Sequence, residues 1–326
     1  MVQILPINTT NNVTPQNNES RNQRIGLGTG LLAYMGGDVT NLLVNQIYSR
    51  TLNEKLMKMV PQKPDPAIKI DEILEKALDK TNLSNKGVKI IDVSKLADTT
   101  ITVADGSKKI YTVRGQVENL LKKSFEASPI NKKISETKSL LIRKILHNIF
   151  SKAAAPFANG QNAGNMLSIN TIVLDTKKIG YSGFHEIGHS LNKFSKAGNI
   201  LQKMRTPVQL AGSAIPIMVA LLTNKRTDDN PPVNIWQKTT SFIKENAGKL
   251  VTLSFIPIIT EEIIATVKGN KLAKEFLPKN IVKQVAKSNA FGAATYIGTA
   301  IFAGLAAFAG NKVRDKIVDV RLNKNT

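Results

Sequence analysis

Residues 169–192 read INTIVLDTKKIGYSGFHEIGHSLN, a short β-rich run that is followed by a helical pattern. The first six residues are rich in isoleucine, valine and threonine, a composition typical of strands. After Gly180, the apolar residues Phe184, Ile187 and Leu191 recur at the spacing of one helix face. The stretch therefore predicts a strand that leads into a helix, and the rest of the chain is interpreted around this unit.

The predicted helix carries the motif His185-Glu186-Ile187-Gly188-His189. Two histidines four residues apart lie one turn apart on the same helix face, so both imidazoles can reach one Zn²⁺ at about 2.0–2.1 Å. Glu186 is then placed to accept a proton from a zinc-bound water, whose pKa falls to about 7. We interpret His185 and His189 as metal ligands and Glu186 as the catalytic base. The alternative is a pair of purely structural histidines.

A hydrolytic zinc site needs a third protein ligand and an open fourth position. The remaining histidine, His147, lies in a separate helical pattern beside an apolar face, and we interpret it as structural. Glu261 and Glu262 fall near the end of an apolar segment, where a carboxylate is costly without a cation. We expect Glu262 to be the third ligand, and Glu261 to support a ligand or to face the substrate. The alternative is an ion pair with Lys268 or Lys271.

Composition divides the chain into six segments. We expect a disordered polar tail (1–24), an apolar glycine-rich helix suited to a membrane (25–45), a mixed α+β soluble region (68–150), the strand and motif helix (151–206), apolar helices that carry the third ligand (207–310) and a basic tail (311–326). The first segment lacks the basic-then-apolar order of a secretory signal. In the mixed region, Asp105-Gly106 between two β-rich runs predicts a hairpin.

Three apolar segments follow Arg205, at residues 208–223, 250–267 and 290–309. The last has about twenty residues without a charge, which is enough to cross a ~30 Å hydrocarbon layer at 1.5 Å per residue. We interpret all three as membrane helices, the alternative being buried helices of a soluble bundle.

The chain has 45 Lys and Arg against 24 Asp and Glu, a formal net charge of +21. This excess suits an anionic partner, either a lipid surface or a nucleic acid. Lysines are frequent between residues 50 and 205, which predicts that this region faces the cytoplasm. Cysteine is absent, which excludes disulfides, thiolate metal sites and a cysteine nucleophile.

The arrangement resembles the membrane-embedded zinc metalloendopeptidases of the HtpX and CAAX prenyl protease type, which have an HExxH helix, two apolar helices and then a Glu-x-x-Ala-Asp stretch. The matching residues are HEIGHSLN at 185–192 and EIIAT at 262–266, within roughly a third of the chain. The resemblance implies a mainly α fold with a small β element (α+β), in which a zincin-like HExxH helix packs on a short sheet beside transmembrane helices. It implies Zn²⁺ held by His185, His189 and Glu262.

Thr266 stands where this family has an aspartate that orients a metal-binding histidine. We expect the hydroxyl of Thr266, or Glu261, to take that part, with Asn192 as a further polar neighbour of the site. The resemblance also implies that INTIVL is an edge strand on which an extended peptide adds by backbone pairing. The residues expected to contact the substrate in this way are Ile169, Asn170, Thr171 and Ile172.

These patterns predict a multi-pass zinc endopeptidase of the inner or plasma membrane, with a peptide or protein substrate and membrane lipids as partners. One alternative is a catalytically inactive integral membrane zinc protein in which the metal only ties helices together. Another is a nucleic-acid-binding protein, but the lysines are spread along the chain and no recognition motif occurs. Nucleic acid is therefore not expected as a partner.

Overall fold

A computed structural model describes residues 63–102, 107–223, 225 and 231–323. These residues are mainly helical, with a small amount of sheet, and they fall into two compact units. The motif unit comprises the described residues up to 207 together with 256–297. The helical unit comprises the described residues of 208–255 and those after 297. The predicted polar tail (1–24) and glycine-rich helix (25–45) lie outside the described residues.

The helices are α1 (Ile70–Lys80), α2 (Val113–Glu126), α3 (Pro129–Ser135), α4 (Leu140–Ala158), α5 (Thr176–Ile179), α6 (Ser182–Lys193), α7 (Lys196–Leu222), α8 (Ile235–Glu245), α9 (Ala247–Leu253), α10 (Ile256–Phe276) and α11 (Lys279–Asn323). The strands are β1 (Lys89–Asp92), β2 (Thr99–Thr102), β3 (Lys108–Tyr111), β4 (Gly164–Met166) and β5 (Thr171–Leu174). Strands β2 and β3 pair antiparallel, which confirms the pairing expected of the predicted hairpin, whereas its Asp105-Gly106 turn lies outside the described residues. Helix α6 begins directly after Tyr181, as the motif pattern predicts.

Strand β5 lies at the centre of a three-stranded sheet in the order β1–β5–β4. It pairs parallel with β1 and antiparallel with β4. The prediction that INTIVL is an edge strand for substrate is therefore wrong. Ile169 ends a 3₁₀ turn and Asn170 has a left-handed backbone, while Thr171 and Ile172 are fully buried. The continuous apolar run TIVL is itself the pattern of a strand that is covered on both faces.

Helices cover both faces of this sheet. On one face, the side chains of Ile172 and Leu174 belong to a core that includes residues of α1, α6 and α10. On the other face, Val173 packs with Val117 of α2 and Ala154 of α4. Because each buried aliphatic side chain contributes about 1.5–3 kcal/mol, the sheet is a rigid base for the motif helix.

Helices α6 and α10 approach each other closely through two glycines. A Cβ atom added at Gly188 would lie 2.1 Å from the carbonyl oxygen of Ala265, and one added at Gly269 would lie 2.5 Å from that of Phe184. Both distances are far below van der Waals contact, so any side chain would force the helices apart. The glycine of the HEIGH motif therefore lets α10, which carries Glu261 and Glu262, lie directly against the two histidines.

The variant Gly188→Ala is expected to destabilise the motif unit, because the added methyl group meets backbone atoms rather than a flexible side chain. The expected loss is about 1–3 kcal/mol in the free energy of unfolding, measured by denaturant titration in detergent. The matched control is Gly310→Ala in α11, where an added Cβ has nothing within 4 Å. Alanine there should be neutral or stabilising by up to about 1 kcal/mol. Equal stability of Gly188→Ala and the wild type would contradict this helix contact.

The helical unit buries a charged cluster. The ammonium of Lys244, which is 3% exposed, donates to the carbonyl oxygen of Ala220 and to Asn311 Oδ1, each at 2.8 Å. It also pairs with Asp315 at 2.8 Å. Burial lowers the pKa of Lys244, and the Asp315 carboxylate opposes this shift. Residues 311–323 continue α11, and Asn311, Arg314 and Val318 among them are buried.

Three helical segments of the described residues are long and apolar enough to cross a membrane: Lys196–Leu222, Ala247–Phe276 and Lys279–Val320. They overlap the three predicted apolar segments. In the middle segment, half of the most apolar stretch is buried, whereas only 11% and 17% of the corresponding stretches are buried in the first and third. Residues 256–297, which include Glu261 and Glu262, belong to the motif unit.

Candidate metal centre

The structure brings His185, His189 and Glu262 together at the contact of α6 with α10. His185 Nε2 lies 3.0 Å from His189 Nε2. Glu262 Oε2 lies 3.2 Å from the first nitrogen and 3.4 Å from the second. Ligand atoms of a tetrahedral Zn²⁺, each at about 2.0–2.1 Å, are roughly 3.3–3.4 Å from one another. The triangle therefore has nearly the dimensions that three zinc ligands require.

The outer nitrogens of both imidazoles have hydrogen-bond partners that turn the inner nitrogens toward this triangle. His189 Nδ1 lies 2.9 Å from Glu261 Oε1, and His185 Nδ1 lies 3.2 Å from Thr266 Oγ1. If each Nδ1 donates its proton to that oxygen, each Nε2 presents a lone pair. Three electron-pair donors at this separation repel one another unless a proton or a metal ion lies between them. The donor set therefore fits a divalent metal ion. Thr266, which stands where the resembling family has an aspartate, contacts His185.

The buried carboxylate of Glu261 is held by three side chains, one on α6 and two on α7. Its Oε1 accepts hydrogen bonds from Asn192 at 2.9 Å and Gln202 at 2.8 Å, and its Oε2 accepts one from Arg205 at 3.1 Å. Arg205 also donates to Glu262 Oε1 at 3.3 Å. Both carboxylates are almost fully buried. Because every one of these oxygens has a partner, the pair can remain ionised and fixed in position.

Arg205 is a positive partner of both carboxylates, and the sequence did not predict it as part of the site. The predicted alternative, an ion pair with Lys268, is not formed. The Lys268 ammonium instead donates to the carbonyl oxygen of Leu191 and to Ser195 Oγ. The sequence signal for this part of the site was the pair Gln202 and Arg205, which lie three residues apart, and so on one side of a helix, just before the apolar stretch 208–223.

Two residues of the HEIGH motif have shifted pKa values. Burial raises the pKa of Glu186, and the neighbouring charges of His189 and His185 oppose this shift. Burial lowers the pKa of His189, but hydrogen bonds with the carboxylates of Glu261 and Glu262 raise it to about 10. The carboxylates of Glu261 and Glu262 thus impose a negative potential on the imidazoles. Because Glu186 is poorly hydrated, it is a stronger base than an exposed glutamate.

A cavity of about 450 Å³ adjoins the triangle. Glu186 lines it beside the three candidate ligands, with Asn165 of β4 and Tyr296 of α11 among the other lining residues. Asn165 Nδ2 donates to the carbonyl oxygen of Glu186 at 2.7 Å and to Ser190 Oγ at 2.6 Å. Within the described residues, β4 is an edge strand of this sheet. Asn165 therefore attaches this edge strand to the motif helix, beside the cavity.

The other predicted site residues lie elsewhere. His147 Nδ1 is 2.8 Å from Glu118 Oε1 on the surface of α2 and α4, in agreement with its structural interpretation. Asn170 donates to the carbonyl oxygen of Lys86 instead of lying in a strand. Thr171 and Ile172 are enclosed between β1 and β4. None of the four residues that were expected to contact a substrate strand lines the cavity.

Comparisons with family models, curated proteins and solved structures find no match to this chain, so its function is inferred from the geometry and chemistry of the site.

Proposed function

We propose that the chain is a membrane-associated zinc endopeptidase, with His185, His189 and Glu262 as ligands and Glu186 as the catalytic base. The observation that carries the proposal is the convergence of three ligand atoms within 3.4 Å of one another, beside a cavity that Glu186 also lines. The resemblance of the HEIGHSLN and EIIAT stretches to membrane zinc endopeptidases supports the same reaction.

Bound zinc would supply Lewis acidity and lower the pKa of a coordinated water to about 7. Glu186 accepts the proton of the attacking water and delivers it to the leaving amine nitrogen of the peptide. Glu261 and Thr266 orient the imidazoles of His189 and His185, and Arg205 holds the carboxylate of Glu262 through its outer oxygen. Catalysis thus depends on side chains whose positions are set before the substrate enters.

The substrate in this proposal is an extended peptide segment. We assign the edge on which this peptide docks to β4 instead of residues 169–172, because β4 is the edge strand that borders the cavity. Backbone pairing with β4 would bring a peptide bond close to Glu186, to which Asn165 fastens this strand. Such pairing recognises backbone rather than a particular side chain.

The membrane part of the proposal is supported by α7 and α11. Their most apolar stretches are largely exposed, whereas water would penalise this much apolar surface. The excess of Lys and Arg supports an orientation in the inner or plasma membrane with the motif unit on the cytoplasmic side. Half of the most apolar stretch of Ala247–Phe276 is buried, and the part of this segment that bears Glu262 packs against the motif helix.

Removal of the metal is expected to abolish hydrolysis reversibly. Full-length protein in proteoliposomes would be given a pool of quenched fluorescent peptides, before and after treatment with a zinc chelator. We expect cleavage to fall by at least about 10²-fold and to return with added Zn²⁺. Circular dichroism should change little, because the core around β5 includes none of the three ligands.

Two outcomes would contradict this proposal. Cleavage that persists at full rate after chelation would exclude a zinc mechanism. Stoichiometric zinc without cleavage of any peptide in the pool, together with loss of folded structure on chelation, would favour the inactive protein in which the metal ties α6 to α10.

A further inference from the structure

Helices α3 and α4 expose a row of aliphatic side chains to solvent. Leu141, Ile145 and Ile149 recur every fourth residue on one side of α4 and are 68%, 48% and 54% exposed. Ile130 and Ile134 of α3 are also exposed. We name these five residues the aliphatic row. A soluble protein rarely leaves so many large aliphatic side chains of one region in contact with water unless they have a partner.

The opposite side of α4 is already packed. The ring of Phe150 contacts Phe125 of α2 at a centroid distance of 5.5 Å, and Ala154 lies in the core with Val117. The guanidinium of Arg114 donates to the carbonyl oxygen and hydroxyl of Ser151. Helix α4 is therefore anchored through its other side. The aliphatic row is not needed to pack α4 on the core.

Positive charge surrounds the aliphatic row. Residues 129–158 contain six Lys and Arg and one acidic residue, Glu136. All six cationic side chains are exposed: Lys132, Lys133, Lys138, Arg143, Lys144 and Lys152. Exposed aliphatic groups bordered by cations are the pattern of a helix that lies in the interface of an anionic bilayer. A nucleic acid would use the cations but leave the leucine and isoleucine side chains in water.

We propose that α3 and α4 dock on an anionic lipid surface, with the aliphatic row at the acyl-chain boundary and the surrounding cations at the headgroups. The charge complementarity and the aliphatic character both identify lipid as the occupant. The inference does not depend on the proposed hydrolysis, since neither helix contributes a residue to the metal triangle. This surface of α3 and α4 is then a second site at which the motif unit attaches to the membrane, in addition to the candidate membrane-spanning helices.

The absence of cysteine from the chain allows a direct test. Full-length Ile145→Cys and Leu141→Cys, labelled with an environment-sensitive fluorophore, would be reconstituted in vesicles of neutral phosphatidylcholine or of phosphatidylcholine with phosphatidylglycerol. Lys76→Cys on the exposed side of α1 is the matched control. In anionic vesicles, we expect lipid-borne quenchers to act more than about threefold more strongly at 145 and 141 than at 76. High salt should reduce this difference.

A charge-reversal variant with Lys132→Glu, Lys133→Glu, Arg143→Glu and Lys144→Glu should also lose the difference. Labels at 141 and 145 that stay accessible to aqueous quencher in anionic vesicles would overturn the proposal. So would labels that both kinds of quencher fail to reach, since another segment or a second copy of the chain would then cover the row. The readout needs no catalytic activity, so failure here leaves the proposed hydrolysis untouched.

Discussion

Glu186→Gln is expected to abolish peptide hydrolysis while zinc binding and stability remain close to those of the wild type. The glutamine has nearly the same shape, and the backbone carbonyl that accepts the hydrogen bond from Asn165 is unchanged. An amide cannot accept the proton of an attacking water. Loss of a positioned general base reduces the rate by about 10²–10⁴-fold, so the residual rate should approach background.

The test compares the initial rate of peptide cleavage with zinc content, measured by atomic emission, for the same preparations. Glu118→Gln is a suitable control because this glutamate pairs with a histidine on α4, outside the metal triangle. It should leave both the rate and the zinc content unchanged. Full cleavage by Glu186→Gln would exclude this residue as the base and with it the proposed mechanism.

Glu262→Ala is expected to lose most of its bound zinc, whereas Glu261→Gln should keep zinc with reduced affinity. Glu262 supplies one corner of the triangle through Oε2, so its removal leaves two imidazoles as the only protein ligands. Glu261 instead contacts the outer nitrogen of His189. Loss of such an orienting partner typically weakens metal binding by about 10–100-fold.

Removal of either carboxylate also leaves Arg205 with one partner fewer, so stability must be measured beside zinc content. Glu262→Gln keeps the size and the acceptor for Arg205 while removing the charge, and it separates a folding defect from the loss of a ligand. We expect a folded Glu262→Gln protein with substantially weaker zinc binding. Stoichiometric, tight zinc in folded forms of both Glu262 variants would refute the assignment of the third ligand.

The site combines residues of two stretches, 185–189 and 261–266. The sequence indicates only in part that these stretches meet. The spacing of His185 and His189 on an amphipathic helix could be predicted, because both the helix period and the ligand geometry are local. Glu262 could be suggested because a carboxylate in an apolar segment needs a cation. Gly188 carried a further signal, since the helix that holds Glu262 approaches at that position.

Other features could not be predicted, because they depend on which surfaces meet. The β-rich composition predicted a strand over residues 169–174, but it could not show that the neighbours of this strand in the sheet come from residues 89–92 and 164–166. The helical period of α4 likewise could not distinguish an apolar face that is buried from one that is exposed. Arg205 became part of the site only because α7 passes beside α10.

The sequence by itself determined the motif helix, the orientation of its two histidines along one face and the apolar character of the later helices, since these follow from the order of neighbouring residues. Only the tertiary structure decided that Glu261 supports His189, that Glu262 completes the triangle and that β4 borders the cavity. Those relations join residues far apart in the chain, and a packed core rather than local preference brings them within hydrogen-bond distance.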